Sequence, residues 1–313
     1  MYVGLYTSCL PNVPLDDKMV WAAEQGFKGV ELGCWPRLNK RDYSTSDIDV
    51  VNFTQEEADR LNERARELNL TITSLGYYDN NLSHDPEERA YINQHTKLVI
   101  KAAGMLGVPY VGTFTGRNID KSIKDSFDEF EAVFSDFVAC AEENNVKLMI
   151  ENCPMTGWLL PNQPSNLSFS PELWHEMFRR IPSPNFGLNF DPSHLHWQKI
   201  DYVPLIEEFK DRIFHVHAKD MTVDEDKFAC YGVYNSLLGE GHDGDGYWTA
   251  KLPGNGDVDF LGMIKALKAI GYDSVISIEH EDHEYFESEE KVKEGLMIGY
   301  NFLKGVLEEA DAE

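Results

Sequence analysis

The chain has 313 residues, 42% of them hydrophobic, which is enough for one large α/β barrel or two ordinary domains with a sizeable core. Its 54 acidic and 28 basic residues give a formal net charge of -26, which repels phosphate backbones and anionic lipid surfaces and excludes nucleic acid and membranes as expected partners. The N-terminus has no basic or apolar leader region, and the five cysteines are scattered without a CxxC pair, which together predict a cytoplasmic protein.

Apolar periodicity predicts eight strands that alternate with helices along the chain. The predicted strands span residues 2–6, 28–32, 71–75, 109–113, 147–150, 186–190, 213–217 and 274–278. The predicted helices span approximately residues 15–25, 55–68, 86–106, 123–138, 171–178, 203–209, 260–270 and 289–307. Gly26 is placed to end the first helix, and Asp85 with Pro86 is placed to begin the third.

Strict alternation of strands and helices predicts a parallel sheet, and eight such units close into a barrel. No linker or low-complexity segment divides the chain, so residues 1–313 are predicted to form a single (β/α)8 TIM barrel domain of the α/β class. One excursion after the seventh strand, residues 221–256, contains seven glycines and five aromatic residues. A connection of this length is typically functional or disordered, and its aromatic content favours a lid or a wall over the site.

Ionisable residues stand at the carboxyl ends of the last four predicted strands. The residues at, or directly after, the last strand position are Glu151, Asp191, His217 and Glu279. In a barrel of this kind the active site lies at that end, so these side chains are expected to converge from neighbouring strands. The alternative interpretation is a solvated acidic rim, because any single carboxylate at a strand end is more often an ordinary loop residue.

A group of three carboxylates and one imidazole predicts a metal site. Three carboxylates in a low-dielectric pocket repel one another, and at least one would have to be neutral without a counter-charge. One divalent cation removes that conflict. Three oxygen ligands and one nitrogen ligand favour Mn²⁺, Mg²⁺ or Co²⁺ over an ion that prefers thiolates, and Zn²⁺ stays open. We therefore expect one divalent metal ion, with Mn²⁺ favoured.

Five motifs carry a resemblance to a known family. They are Ile150-Glu-Asn152, Asn189-Phe-Asp-Pro-Ser-His194, His215-Val-His-Ala-Lys-Asp220, Pro253-Gly-Asn-Gly-Asp-Val-Asp259 and Ser277-Ile-Glu-His-Glu-Asp282. On these motifs the chain resembles the xylose isomerase-like TIM barrel superfamily, in its sugar phosphate isomerase/epimerase branch, over nearly its whole length. The resemblance implies that the metal ligands are Glu151, Asp191, His217 and Glu279. It also implies that His215 lies outside the ligand set.

The family's ketose epimerases imply a mechanism for a small sugar or glycoside substrate. In them the metal holds a carbonyl oxygen and the adjacent hydroxyl oxygen and stabilises an enediolate, while two glutamates on opposite sides of the sugar carbon exchange its proton. Glu151 and Glu279 match these catalytic positions, and His194 matches a histidine that contacts substrate. The alternative for His194 is a loop histidine bonded to backbone. Family members often form dimers or tetramers, so a homo-oligomer is expected.

Three further residues are predicted to contact substrate, each with a plainer alternative. Lys219 holds a substrate oxygen, or it forms an ordinary salt bridge with a neighbouring acid. Asn152 bonds substrate, or it caps its loop. Tyr77 belongs to a group near the ends of the first strands that either stacks on a sugar face or packs the barrel rim. The other members of that group are Tyr6, Glu31, Trp35, Tyr78, His84 and Phe114.

One departure from the ketose epimerases bears on the substrate. Those enzymes carry a substrate-contacting arginine six residues after the ligand histidine, where this chain has Val223. The sequence also contains no glycine-rich phosphate cradle of the P-loop type, so it does not support a phosphorylated substrate. The leading hypothesis is a metal-dependent sugar isomerase or epimerase whose substrate need not be a simple free ketose. The alternative is a metal-dependent lyase that cleaves 3-keto-glycosides by β-elimination, as some members of the superfamily do.

Two other classes have different requirements. The superfamily's DNA-repair endonucleases need extra histidines at early strand ends, and the third and fourth predicted strands end without one. The charge of -26 also argues against DNA, so this class is rejected. A non-enzymatic sugar-binding barrel needs no metal, so turnover that is lost on chelation and restored by Mn²⁺ would exclude it.

Overall fold

Eight parallel strands close into a barrel in the computed structural model, which describes residues 1–37, 45–156, 159, 163–238 and 246–312. The strands follow one another around the barrel in chain order, and the last pairs with the first. They are β1 (Tyr2–Tyr6), β2 (Gly29–Gly33), β3 (Thr71–Gly76), β4 (Tyr110–Thr113), β5 (Lys147–Glu151), β6 (Phe186–Phe190), β7 (Ile213–Ala218) and β10 (Val275–Ile278). The predicted (β/α)8 barrel is confirmed.

Helices connect the strands along the chain. They are α1 (Leu15–Gln25), α2 (Gln55–Glu67), α3 (Pro86–Leu106), α4 (Ile123–Glu143), α5 (Pro171–Arg180), α6 (Pro192–Trp197), α7 (Val203–Glu208), α8 (Glu225–Tyr231), α9 (Phe260–Ala269) and α10 (Glu289–Ala312). Gly26 ends α1 with a φ of 97°, a left-handed conformation that glycine adopts without strain. The Asp85 side chain accepts hydrogen bonds from the N–H groups of Glu87 and Glu88 and so begins α3.

A stripe of phenylalanines fixes α4 on the barrel. These rings are buried along one face of the helix, as their spacing predicts. Phe130 and Phe134 pack on Phe186 of β6 with ring centroids 6.0 and 5.9 Å apart. Burial of each such side chain contributes roughly 1.5–3 kcal/mol, so the stripe is a structural core and not a binding surface.

The structure bears on two features considered from composition, membrane-spanning helices and cysteines. Among the described residues, no helix has both the length and the apolar character that a membrane span requires. All five cysteines are free thiols. The cellular compartment stays a prediction.

The structure differs from the predicted elements at several strand and helix ends; for example, α4 continues past residue 138 to Glu143. An unpredicted helix, α6, follows β6 directly, because Pro192 occupies its first turn and the Asp191 side chain accepts a hydrogen bond from the Ser193 N–H. The final helix continues past residue 307 to Ala312. Glu151 is the last residue of β5 instead of the first residue after it.

The excursion after β7 has secondary structure of its own. It contains the strands β8 (Asp220–Val223) and β9 (Trp248–Lys251), which pair as an antiparallel ribbon, with α8 between them. Trp248 stacks on Trp197 of α6 with ring centroids 5.1 Å apart, and the Tyr247 hydroxyl donates to the Trp197 carbonyl. The ribbon is therefore anchored on the helix that follows β6, and Tyr247 and Trp248 serve as packing. Tyr231 and Tyr234 of the same excursion are exposed, and the lid or wall over the site stays a prediction.

Asp220 closes the base of this excursion. Its carboxylate accepts hydrogen bonds from the backbone N–H groups of Met221, Gly254, Gly256 and Val258. The chain therefore leaves the barrel and returns to it at one point, directly after Lys219. The middle of the excursion, residues 239–245, lies outside the described residues.

Candidate metal centre and active site

The four side chains predicted from the strand ends converge at the carboxyl end of the barrel. The residues whose ligand atoms all lie within 4.8 Å of one another are Glu151, Asp191, His217 and Glu279. Their strands, β5, β6, β7 and β10, are neighbours in the barrel, which explains the convergence. All four are buried, and Glu279 is the most exposed at 9%. We call this group the carboxylate–imidazole cluster.

His217 lies at the centre of the carboxylate–imidazole cluster. Its Nδ1 atom is 3.1 Å from Glu151 Oε1 and 3.4 Å from Glu279 Oε2. Its Nε2 atom is 2.9 Å from Glu31 Oε2, a residue of β2. Because residues two apart on a strand share a side, His215 also points into the barrel, but it does not belong to this group of four.

Asp191 is held in place by its neighbours. The Asn152 amide donates to the Asp191 carbonyl and accepts from the Asp191 N–H, both at 2.8 Å. Ser193 donates to Asp191 Oδ1 from its N–H and from its hydroxyl. The Asn152 side chain therefore holds the end of the neighbouring strand β6 and does not cap its own loop through these bonds, and a contact between Asn152 and substrate stays a prediction.

Lys219 brings positive charge to the cluster. It is 2% exposed, and its Nζ atom is 2.7 Å from Glu279 Oε2 and 3.3 Å from Asp191 Oδ2. The same atom is 3.0 Å from Glu281 Oε2. In the described part of the chain it is the only lysine or arginine that pairs with these carboxylates. One ammonium shared by three carboxylates compensates their negative charge only in part.

Two buried polar atoms of the site form no hydrogen bond with any described residue. They are Asp191 Oδ2 and His194 Nε2, which lie 3.5 Å apart. Asp191 Oδ2 forms an ion pair with Lys219 at 3.3 Å without the geometry of a hydrogen bond, so His194 Nε2 is the clearer exception. Most buried polar atoms are hydrogen-bonded, so such an exception beside three carboxylates indicates a site that receives a ligand. Oxygen donors, one imidazole nitrogen and excess negative charge in a buried pocket all fit a divalent cation.

The surroundings shift the pKa values of the two glutamates in opposite directions. Burial, reinforced by the neighbouring Glu279 carboxylate, raises the pKa of Glu151 to about 8. Burial alone would also raise the pKa of Glu279, but Lys219 and His217 outweigh it and hold that pKa well below its usual range. Burial also raises the pKa of Asp191. The cluster therefore favours one protonated and one ionised glutamate when it holds no cation.

Aromatic side chains from the first four strands form the other side of the mouth. Tyr6 stacks on the His217 ring with centroids 5.7 Å apart, and Tyr78 lies 6.0 Å from the same ring. Trp35 packs on Tyr6 at 6.4 Å. The Tyr6 hydroxyl and the Trp35 Nε1 atom are buried and form no hydrogen bond with the described residues. This aromatic side therefore offers flat apolar faces with two unused polar atoms.

Tyr77 is buried among other residues of these early strands. Its hydroxyl donates to Asp79 Oδ2 at 3.2 Å, and its ring packs edge-on against His95 at 4.6 Å. Phe114 packs on Tyr78, and His84 is exposed. The packing alternative accounts for these contacts of Tyr77, and its contact with substrate stays a prediction.

Val223, which stands where the ketose epimerases carry an arginine, lies on β8. Its N–H donates to Asp257 Oδ2 at 2.9 Å. Its side chain packs against the cluster of Trp197, Met221 and Tyr247. The position is therefore part of the packing of the ribbon, and the metal centre receives no arginine from it.

Two residues of the site were missed by the sequence analysis as individual candidates. Glu281 lies two residues after Glu279 and reaches the same ammonium, that of Lys219. Asn189 lies two residues before Asp191 on β6. Residues two apart on an extended chain share a side, as His215 and His217 do, and this pattern would have identified both.

A closed parallel barrel with a buried carboxylate–imidazole cluster at its mouth defines the class of the protein as a TIM barrel with a candidate divalent-metal centre. The family model described as "Xylose isomerase-like TIM barrel" matches residues 19–302. The chain therefore belongs to the xylose isomerase-like TIM barrel family, as its motifs predict.

Three related proteins show how far the sequence similarity extends. The uncharacterized protein MJ1311 of Methanocaldococcus jannaschii is 29% identical over 180 residues, which cover 56% of this chain and 51%, about half, of that protein. The uncharacterized protein YfiH of Bacillus subtilis is 26% identical over 307 residues, covering 90% of this chain and 93% of that protein. Inosose dehydratase of Salmonella typhimurium is 34% identical over 94 residues, which cover 30% of each chain.

Solved structures with the same fold include sugar epimerases. IOLI protein with a binding zinc atom has a TM-score of 0.73 and 19% identity, with 99% of each chain covered. D-psicose 3-epimerase of Clostridium cellulolyticum H10, with D-tagatose, has a TM-score of 0.68 and 15% identity, covering 98% of this chain and 99% of that one. The 3-keto-D-glucoside 4-epimerase YcjR of E. coli has a TM-score of 0.67 and 12% identity, covering 97% and 99%. At such identities these likenesses show the fold alone.

Proposed function

We propose that the protein is an enzyme that uses one divalent metal ion to move a proton at a carbon next to a carbonyl group in a sugar or sugar-like polyol. The observation that carries the proposal is the placement of Glu151 and Glu279, whose oxygens lie 3.1 and 3.4 Å from the same nitrogen of His217. Two carboxylates that approach one point from different strands can serve as the base and the acid for one carbon. Family membership supports this class of chemistry.

The four residues of the carboxylate–imidazole cluster would hold the ion, and Mn²⁺ is the ion we favour for three oxygen donors and one nitrogen donor. When bound, the ion supplies positive charge that stabilises the negative charge developing on substrate oxygens. The zinc atom named with IOLI protein agrees with a divalent ion in this fold.

The residues around the ion would have separate roles in proton transfer and substrate binding. Lys219, 2.7 Å from Glu279, keeps that carboxylate ionised, so Glu279 accepts the substrate proton in one direction. Glu151, whose Oε1 atom lies 3.1 Å from the same His217 nitrogen, returns a proton from the other side. The unbonded Nε2 atom of His194 is available to a substrate oxygen, and the Tyr6 ring excludes water beside the reacting carbon.

Isomerisation or epimerisation is the leading outcome, and β-elimination is the second candidate. In the first, the proton returns to the same carbon on the other face or to the neighbouring carbon. In the second, the electron pair left by proton removal forms a double bond and expels a group from the β carbon, and this group leaves with the proton donated by the acid. Two observations favour this second candidate. The chain is similar to inosose dehydratase, and it has Val223 where the ketose epimerases have an arginine.

The test uses metal-free protein, reloaded with Mn²⁺ and incubated in D₂O with free ketoses, an inosose or a 3-keto-glycoside. In NMR spectra, epimerisation or isomerisation introduces solvent deuterium at the reacting carbon, whereas elimination gives an unsaturated ketone and a released group. We expect turnover in at least one arm that is lost on chelation and restored by Mn²⁺. Turnover that is unaffected by chelation would contradict the proposal.

A further inference from the structure

A second buried cluster lies on the far side of the His217 ring from the carboxylate–imidazole cluster. Glu31 of β2 is fully buried, and its Oε2 atom is 2.9 Å from His217 Nε2. Its Oε1 atom accepts a hydrogen bond from the Tyr78 hydroxyl at 2.8 Å, and that hydroxyl accepts one from the Asn189 amide at 2.9 Å. Glu31, His215 and His217 also have the spacing of a three-ligand metal site. The cluster is therefore either a second metal site or a device that fixes His217.

A second ion at Glu31 would require His217 to bind metals through both ring nitrogens. A neutral imidazole has one nitrogen with a lone pair and one N–H, so bridging two ions would require the loss of the remaining proton. The distances are also those of hydrogen bonds: 2.9 Å between Glu31 and His217, and 3.0 Å between His215 Nδ1 and Asn189 Oδ1. These contacts describe a closed hydrogen-bonded network and not an open set of ligands.

The network decides which nitrogen of a neutral His217 carries the proton. The Nε2 atom has two neighbours at 2.9 Å, the Glu31 carboxylate, which only accepts hydrogen bonds, and the Asn189 amide nitrogen, which only donates them. A hydrogen bond to an ionised carboxylate is roughly twice as strong as one between neutral groups, so Glu31 decides this competition and the proton lies on Nε2. The lone pair then lies on Nδ1, the atom that faces Glu151 and Glu279. Because Tyr78 already occupies Oε1 of Glu31, the other oxygen is left for the imidazole.

We propose that Glu31 is a positioning residue that holds His217 in the tautomer and ring orientation needed to bind a metal ion through Nδ1. The inference rests on the proposed metal-dependent function. Carboxylates that orient a ligand histidine from outside typically change metal affinity by about 10–100-fold. Glu31 acts through His217, so its effect is expected in the affinity for the metal alone, without any substrate.

The experiment titrates metal-free protein with Mn²⁺ and measures the free ion by electron paramagnetic resonance. Wild-type protein is expected to bind one ion per chain, and Glu31→Gln is expected to bind it about 10–100-fold more weakly. Ser74→Ala is the matched control, because Ser74 is buried, pairs with Glu31 across β2 and β3, and contacts His215 at 3.5 Å. Its affinity is expected to equal that of wild type, and circular dichroism verifies the fold of both variants.

Three results of this titration would count against a proposal, and they are distinguishable. Equal affinities of Glu31→Gln and wild type overturn the positioning role and leave the proposed function intact. Two ions per chain in wild type, with the second lost in Glu31→Gln, overturn the positioning role in favour of a second metal site. Failure of wild type to bind Mn²⁺ overturns the proposed function together with the inference.

A measurement on the wild-type protein does not depend on the folding of a variant. The protein is labelled with ¹⁵N-histidine and loaded with Zn²⁺, and long-range ¹H–¹⁵N spectra assign the protonation of each ring nitrogen. We expect His217 to carry its proton on Nε2 and to bind the ion through Nδ1. The opposite tautomer would overturn the inference.

Discussion

The two halves of the barrel mouth carry different chemistry. Strands β5, β6, β7 and β10 end in the carboxylate–imidazole cluster, whereas β1 to β4 end mainly in aromatic rings. His217 touches both halves, since its Nδ1 atom faces Glu151 and its ring stacks on Tyr6. One half therefore gathers three carboxylates, whereas the other offers mainly flat apolar faces, and under the proposed function the first moves the proton while the second excludes water. Variants on each side should therefore affect different measurements.

The largest effect is expected on the ionisable half, for Glu279→Gln. The variant keeps the shape of the side chain but removes a proposed base and metal ligand, so turnover should fall by about 100-fold to 10⁴-fold. Initial rates on the substrate identified in the D₂O incubations measure it. Glu281→Gln is the matched control, because Glu281 contacts the same ammonium but lies outside the carboxylate–imidazole cluster, and it should lose much less. Equal losses in both variants would contradict the assignment of Glu279.

A smaller effect, on stability, is expected for Lys219→Met in metal-free protein. The change leaves Glu279, Asp191 and Glu281 without their shared cation, and breaking a buried pair of this kind costs about 3–5 kcal/mol of the free energy of unfolding. Urea denaturation measures the loss, and added Mn²⁺ should recover part of it by binding the folded state. Lys199→Met, which breaks an exposed ion pair with Glu225, should change stability by less than about 1 kcal/mol.

If Lys219→Met is as stable as wild type without metal, the carboxylates are neutral in the folded protein. The proposed ionisation of Glu279 would then be wrong.

The smallest effects are expected on the aromatic half, where two tyrosines form a matched pair. Tyr78→Phe removes a hydroxyl that bonds Glu31 and Asn189, so unsatisfied buried partners should cost about 1–3 kcal/mol. Tyr6→Phe removes a hydroxyl with no hydrogen bond to the described residues, so stability should stay within about 0.5 kcal/mol. Urea denaturation measures both, and a larger loss for Tyr6→Phe than for Tyr78→Phe would contradict the described network.

The ionisable half was the more predictable of the two from sequence. Each of its four residues lies at the carboxyl end of a buried apolar strand or directly after it, and the carboxyl ends of neighbouring parallel strands must meet. The periodicity of apolar residues and the positions of Glu151 and Glu279 at strand ends were therefore sufficient to place both glutamates in one group. Their roles as ligands and catalysts stay predictions.

The contacts across the barrel could not be predicted in the same way. Glu31 and His217 are separated by 186 residues and touch because the barrel closes, and local periodicity carries no information on which side chains meet in its interior. The ribbon of β8 and β9 was missed for a related reason. Its pairing joins Asp220 to Lys251 across a glycine-rich stretch that has no apolar alternation of its own.

The carboxylate of Asp220 has a consequence for how this protein can change during evolution. It ties both ends of the excursion to one point, so insertions or deletions between those ends need not alter the register of the strand that bears His217. Residues of the excursion can therefore be substituted under selection for new small molecules, while the buried side chains at the carboxyl ends of the strands stay the same.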